Sequence, residues 1–262
     1  LLEFVIQGVE QHMSIPPAKW LSRLTRNASA RINLVCFPYG GAGASAYKPL
    51  AMQLPADIEV WAVQLPGREN RFSEPFAQDA DAAVQAISAD IDRLGLNNLL
   101  FFGHSMGSDL AVLCATFRQQ QKRAMPRLLV VSGNKPPHIP LQQFWASAPE
   151  PALVQHVLGF GGISPEVLAN AEFASIYLEK LRADYRLYEG IGARPPAMLD
   201  IPLVVVRSDA DPLLADVDVN EWRHYSSRPF MLREVKGGHF YFQPDAGELA
   251  AVLAAAVSGQ IT

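Results

Sequence analysis

The stretch Leu99-Leu-Phe-Phe-Gly103-His104-Ser105-Met106-Gly107 decides the fold. Four apolar residues run into Gly-x-Ser-x-Gly, and a helix-compatible segment, Ser108 to Gln120, follows at once. Strand, sharp turn and helix in that order form a nucleophile elbow, whose strained turn exposes a serine hydroxyl at the carboxyl end of a sheet. Gly103 and Gly107 flank the serine because side chains there would meet the neighbouring strand and helix. The bare pentapeptide also arises by chance in glycine-rich turns. Its position between a strand and a helix is what makes Ser105 a candidate nucleophile.

Upstream of the elbow, the chain alternates between strand-like and helix-like segments. Arg31 to Phe37 reads as a strand, and the small-residue loop Pro38-Tyr-Gly-Gly-Ala-Gly-Ala-Ser45 then opens a helix through about Leu54. That loop lacks the Gly-Lys-Ser/Thr ending of a P-loop and the spacing of a dinucleotide fingerprint. It reads either as a tight turn or as the source of a second backbone N–H for an oxyanion hole. Ile58 to Val63 is the next strand, ending in Gln64-Leu-Pro-Gly-Arg-Glu-Asn-Arg71, whose two arginines either steer an anion or are simply solvated. Gln78 to Leu94 has helical spacing of Ala82, Val84, Ile87, Ile91 and Leu94 with acids facing out, and Gly95 stops it. Ser14 to Ala30 reads as a surface arm. Residues 1 to 13, which precede or include Met13 and carry no motif, read as an upstream extension or appended sequence.

Downstream, Leu128 to Ser132 is another apolar strand. Apolar strands alternating with helices predict an α/β fold with a mostly parallel sheet covered on both faces. Between about residues 136 and 198 the alternation breaks, with prolines at both ends and helix-like pieces at Ser164-Pro-Glu166 and Ala171 to Tyr188. This insertion reads as a helical lid, or as extra packing helices with no gating role. The alternation resumes with Ile201 to Val206 and Phe230 to Val235, and a helix over Asp245 to Val257 closes the chain.

Composition narrows the function classes. The 262 residues are 49% hydrophobic and 18% charged, enough for one domain with a large core. A formal net charge of −4 gives no basic field for nucleic acid. Cys36 and Cys114 lie apart in apolar runs, as buried thiols of a reducing compartment do, and no Cys/His cluster suggests a metal. No apolar run reaches the roughly 18 residues of a membrane helix, and no secretory signal is visible. The expectation is a cytoplasmic protein without metal or cofactor of its own.

A serine hydroxyl needs a base. Of six histidines, His104 adjoins Ser105 but cannot easily fold back onto it. His12 lies in the N-terminal arm, His138 and His156 lie in the insertion, and His224 is on a helix-like stretch. His239 stands in a Gly-Gly-His turn just beyond a strand, where glycines let the loop carry an imidazole over the sheet edge. It is the candidate base. The acid that orients it belongs at the end of a strand between serine and histidine. Asp211 is preferred for its Asp-Pro junction, with Asp209 as the alternative; Asp216 and Asp218 read as solvated.

With these residues in place, the chain resembles the type II, or editing, thioesterases of polyketide and nonribosomal peptide synthetases. The likeness rests on Cys36-Phe-Pro-Tyr-Gly-Gly-Ala-Gly-Ala-Ser45, Gln64-Leu-Pro-Gly-Arg-Glu-Asn-Arg71, Gly103-His-Ser-Met-Gly107, Leu181-Arg-Ala-Asp-Tyr185, Trp222 and Gly237-Gly-His-Phe240. It covers nearly everything from about Trp20 onward. The resemblance implies an α/β-hydrolase fold with a helical lid. It also implies hydrolysis of acyl thioesters from the phosphopantetheine arm of acyl or peptidyl carrier proteins, clearing misprimed or stalled chains. By motif position, Ser105 is nucleophile, His239 base and Asp211 acid, and the N–H groups of Met106 and Gly40 form the oxyanion hole. Two departures leave choices open. Tyr-Gly-Gly-Ala-Gly stands where the family more often has Tyr-Ala-Gly-Gly, so the second oxyanion donor is uncertain by a residue. Arg-Ser-Asp-Ala-Asp stands where the family usually has a glycine, so Asp209 stays in contention. The competing readings are a general carboxylesterase or lipase, a cyclising thioesterase embedded in a synthetase, and a binding module that has kept the fold.

Overall fold

The structure is a computed structural model and describes residues 19–243 and 245–257. Its centre is a seven-stranded sheet: β1 (Leu21–Arg23), β2 (Ile32–Phe37), β3 (Ile58–Val63), β4 (Leu99–His104), β5 (Leu128–Ser132), β6 (Leu203–Ser208) and β7 (Phe230–Val235). The spatial order is β1-β3-β2-β4-β5-β6-β7. β1 runs antiparallel to β3, and every other pairing is parallel. Strand β4 is therefore central, with β2 and β5 beside it.

Side chains on a strand alternate between faces, so a sheet covered on both sides needs apolar residues at successive positions. Val35, Phe37, Phe101, Val131 and Val205 enter one core. Their immediate neighbours Leu34, Cys36, Phe102, Val130 and Val206 enter the other. Each such side chain, fully buried, contributes about 1.5–3 kcal/mol. The first face is covered by α2 (Ala80–Arg93) and α3 (Met106–Gln120), the second by α1 (Lys48–Ala51) and α7 (Gly247–Val257). The two cysteines are buried and unbridged.

Three helices lie between β5 and β6: α4 (Glu150–Gly159), α5 (Pro165–Leu168) and α6 (Ala171–Ile191). Ser164 accepts a hydrogen bond from Val167 N–H and Asn170 accepts from Glu172 and Phe173 N–H, so α5 and α6 each begin on a side-chain cap. The insertion has its own small core, formed by Leu153, Val157, Ile163, Leu178 and Leu181.

Several local expectations are corrected. The segment read as a surface arm contributes β1 to the sheet edge, because Lys19 and Trp20 N–H both donate to the Asp90 carboxylate and dock it against α2. Asp90 is therefore buried rather than facing out with the other acids of that helix. The helix after β2 is short: a 3-10 turn over Ala44–Tyr47 and the single turn of α1. Residues 1 to 13, read as an upstream extension, lie outside the described residues.

Candidate active site

The site forms where β4 breaks into α3. Ser105 has φ 53° and ψ −128°, a conformation L-residues rarely adopt. Its N–H donates to Ser132 O on β5 at 2.8 Å, and Ser108 Oγ donates to Gly103 O and Ser132 O at 2.9 and 3.0 Å. These bonds brace the turn from two strands. The flanking glycines are required by close approach: a Cβ on Gly103 would meet the Gly107 carbonyl, and one on Gly107 would meet the Phe37 carbonyl.

The residues expected to partner Ser105 converge from distant loops. His239 follows β7, and its Nδ1 lies 2.8 Å from Asp211 Oδ2 beyond the end of β6. Both side chains are buried. Asp211 Oδ1 also accepts from Leu213 N–H at 2.9 Å, which fixes the carboxylate. Asp209 is directed elsewhere. It accepts from Lys236 Nζ at 2.7 Å and from Gly237 N–H at 2.9 Å, and the lysine chiefly holds its carboxyl below the ordinary range. Asp209 thus ties the base of the histidine turn without touching the imidazole.

Ser105, Met106, Gly40 and His239 line one cavity of about 450 Å³. In the loop after β2, two backbone N–H groups are already engaged. Gly41 N–H donates to Asp184 Oδ2 at 2.7 Å, and Ala42 N–H donates to Tyr39 O at 3.0 Å. Gly40, by contrast, lines the cavity.

The arginines after β3 neither steer an anion nor sit in solvent. Arg68 and Arg71 are 3% and 5% exposed. Arg68 forms a two-armed ion pair with Asp184 on α6, and Arg71 bonds Gln64 O and Glu74 beneath the Trp20 ring. Trp222, part of the family-like pattern, is buried and donates to Asn134 O at 3.0 Å.

His104 packs against His239, with ring centroids 4.7 Å apart. Burial, and secondarily the neighbouring His239, hold its pKa well below the ordinary histidine value, so it stays neutral. Its Nδ1 is 3.1 Å from Ser132 Oγ, which in turn is 3.0 Å from Tyr241 Oη. The insertion adds an aromatic wall that sequence reading missed. Phe160 meets the His239 ring edge-on at 5.2 Å, and His156 stacks on Trp145 at 3.8 Å. His156 Nε2 is 3.0 Å from Tyr185 Oη, and burial lowers its pKa to about 4.

One turn beyond Ser105, Asp109 is buried behind the site. Burial pushes its pKa up to about 8, against opposing effects from Lys135 and Asn134. The folded protein therefore keeps this proton between pH 4 and 8, where an unfolded carboxyl loses it. Its contribution to stability is complete below pH 4 and is lost as pH climbs through about 8. Asp109→Asn, which can still accept from Asn134 Nδ2, should raise the thermal midpoint at pH 8 by about 5 °C or more, with the gain vanishing near pH 4. Melts across that range check this; an equal gain at both ends would show that ionisation is not the cause.

Comparison with known proteins agrees with this architecture. The thioesterase domain family matches residues 32–256. A probable cadicidin biosynthesis thioesterase from Streptomyces griseus is 33% identical over 86% of this chain, and the match spans only 62% of that relative's length. Gramicidin S biosynthesis protein GrsT from Aneurinibacillus migulanus is 30% identical, over 88% of this chain and 91% of its own. Among solved structures, the RedJ thioesterase from the prodiginine pathway of Streptomyces coelicolor is 30% identical. It superposes with a TM-score of 0.82 over 89% of this chain and 94% of its own. With a family match running from β2 to the closing helix, this chain belongs to the thioesterase family.

Proposed function

We propose that this thioesterase hydrolyses acyl groups from the phosphopantetheine arm of acyl or peptidyl carrier proteins, removing misprimed or stalled chains. The observation that carries the reading is that His239, paired with the buried Asp211, lines the same cavity as the strained Ser105, within a thioesterase-family fold. The names of the relatives, which place them in cadicidin, gramicidin S and prodiginine biosynthesis, support the carrier-bound substrate.

In this reading, Ser105 Oγ attacks the thioester carbonyl while His239 Nε2 takes its proton. Asp211, accepting from His239 Nδ1–H, holds the tautomer and stabilises the imidazolium. The N–H groups of Met106 and Gly40 receive the oxyanion. Collapse breaks the C–S bond, and the proton on His239 leaves with the thiol. Water, deprotonated by the same histidine, then attacks the acyl-Ser105 ester and releases the acid. The chain itself needs no cofactor in this scheme, because the pantetheine arm arrives with the substrate. The aromatic insertion acts as a lid over the acyl group. Two buried, unbridged thiols support a reducing compartment, the cytoplasm, as the place of action.

The test is acid release from one hexanoyl group presented on a holo carrier protein, on a pantetheine mimic and as a nitrophenyl ester. The carrier-bound form should have the highest kcat/KM. Equal or faster hydrolysis of the nitrophenyl ester would instead identify a general carboxylesterase.

A further inference from the structure

The Leu181-Arg-Ala-Asp-Tyr185 motif has no part in the scheme above, yet its aspartate reaches the catalytic loop. Asp184, on α6 of the insertion, is 2% exposed and paired with Arg68, which is 3% exposed. Asp184 Oδ1 accepts from Arg68 Nη2 at 2.6 Å, and Oδ2 accepts from Arg68 Nη1 at 2.7 Å. Oδ2 takes a second donor, Gly41 N–H, also at 2.7 Å. Arg68 Nη1 in turn donates to Ala42 O at 2.9 Å. The ion pair therefore grips the loop after β2 at an N–H and a carbonyl, directly beyond Gly40.

That grip adds to the one bond the loop makes within itself, from Ala42 N–H to Tyr39 O. Tyr39-Gly-Gly-Ala42 offers little steric restriction, and Gly41 has φ +81°, in the left-handed region. The Asp184 bond to Gly41 N–H sets the Gly40–Gly41 peptide plane, and with it the conformation of Gly40. A charge-assisted N–H···O⁻ bond is about twice as strong as a neutral one. Burying two charges is costly, and well-packed apolar residues can usually replace such a pair without loss of stability. An apolar pair, however, would leave the Gly41 N–H without its acceptor.

We infer that Asp184, held by Arg68, is a positioning residue for the oxyanion hole: it pins Gly41 so that the Gly40 N–H faces the reacting carbonyl. The inference rests on the nucleophile and oxyanion assignments proposed above. It also makes the hydrolytic geometry depend on the seating of α6, since the anchoring carboxylate belongs to the insertion and the anchored loop to the sheet.

The experiment uses the full chain and two variants, Asp184→Asn and the double variant Arg68→Met/Asp184→Leu. The double variant leaves no unpaired buried charge, so it remains informative if Asp184→Asn does not fold. With hexanoyl pantetheine as substrate, each folded variant should lose about 10- to 100-fold in kcat with KM within about twofold. The inhibition constant of a hexyl trifluoromethyl ketone, whose Ser105 adduct carries an oxyanion, should rise in parallel. That of the corresponding thioether, which forms no oxyanion, should stay unchanged. Unchanged kcat and ketone affinity in a folded variant, even one with a lower thermal midpoint, would overturn the inference. Ser105→Ala separates it from its foundation: activity retained there removes the nucleophile assignment itself. A dead Ser105→Ala beside a fully active double variant removes only the role of Asp184.

Discussion

Ser105→Ala should fold with a thermal midpoint close to the parent's and lose about 10⁴- to 10⁶-fold in kcat on a pantetheine thioester. The expectation follows from the backbone rather than from the hydroxyl. The conformation at Ser105 is held by its N–H to Ser132 O, by Ser108 Oγ and by the two glycine contacts, none of which uses Ser105 Oγ. Removing the oxygen therefore leaves the turn, the cavity and the His239–Asp211 pair in place. What disappears is the acyl-enzyme, so any residual rate must come from water acting directly on the bound thioester. A fluorophosphonate that labels the parent at one serine should leave the variant unlabelled. Substantial turnover or labelling in Ser105→Ala would dismiss the nucleophile assignment.

The second large effect separates two carboxylates only two residues apart. Asp211→Asn should cost about 10³- to 10⁴-fold in kcat, because the amide cannot favour the required imidazole tautomer or stabilise the imidazolium. Asp209→Asn should change kcat by less than about fivefold, with its main effect a lower thermal midpoint of a few degrees. The reason is geometric. Asp211 is buried against His239 Nδ1, whereas Asp209 is spent on Lys236 and the Gly237 N–H. Parallel measurement of kcat and thermal melts on the two variants decides the matter. Equal catalytic losses would mean that the histidine turn, rather than the acid, limits the reaction.

Much of the architecture was legible in the chain because its causes are local. Gly103-x-Ser105-x-Gly107 after four apolar residues specifies strand, strained turn and helix within a single span, and alternating strands and helices specify a parallel sheet with two covered faces. Gly237-Gly-His239 could be singled out for the same reason, since glycines just beyond a strand mark a loop free to carry a side chain over the sheet edge. Tertiary structure decided what depends on how loops travel after leaving the sheet. Asp209 and Asp211 share a strand end and a charge, and only the hydrogen bonds around Gly237 assign one to the turn and the other to the imidazole. Short-range pattern does not show which N–H groups of Gly40, Gly41 and Ala42 are engaged; Asp184, 143 residues away, takes that of Gly41. Arg68 and Arg71 looked solvated because charge in a loop usually is; their burial required partners that no nearby residue pattern announces. Trp145, His156 and Phe160 reach the cavity from in and around α4 of the insertion, and only the packing of that helix over the sheet brings them to it. Short-range pattern encodes elements, since it acts through backbone conformation and the burial of a repeating face. A buried polar contact instead needs its two halves brought together, and in this protein the folded sheet and the insertion above it do that.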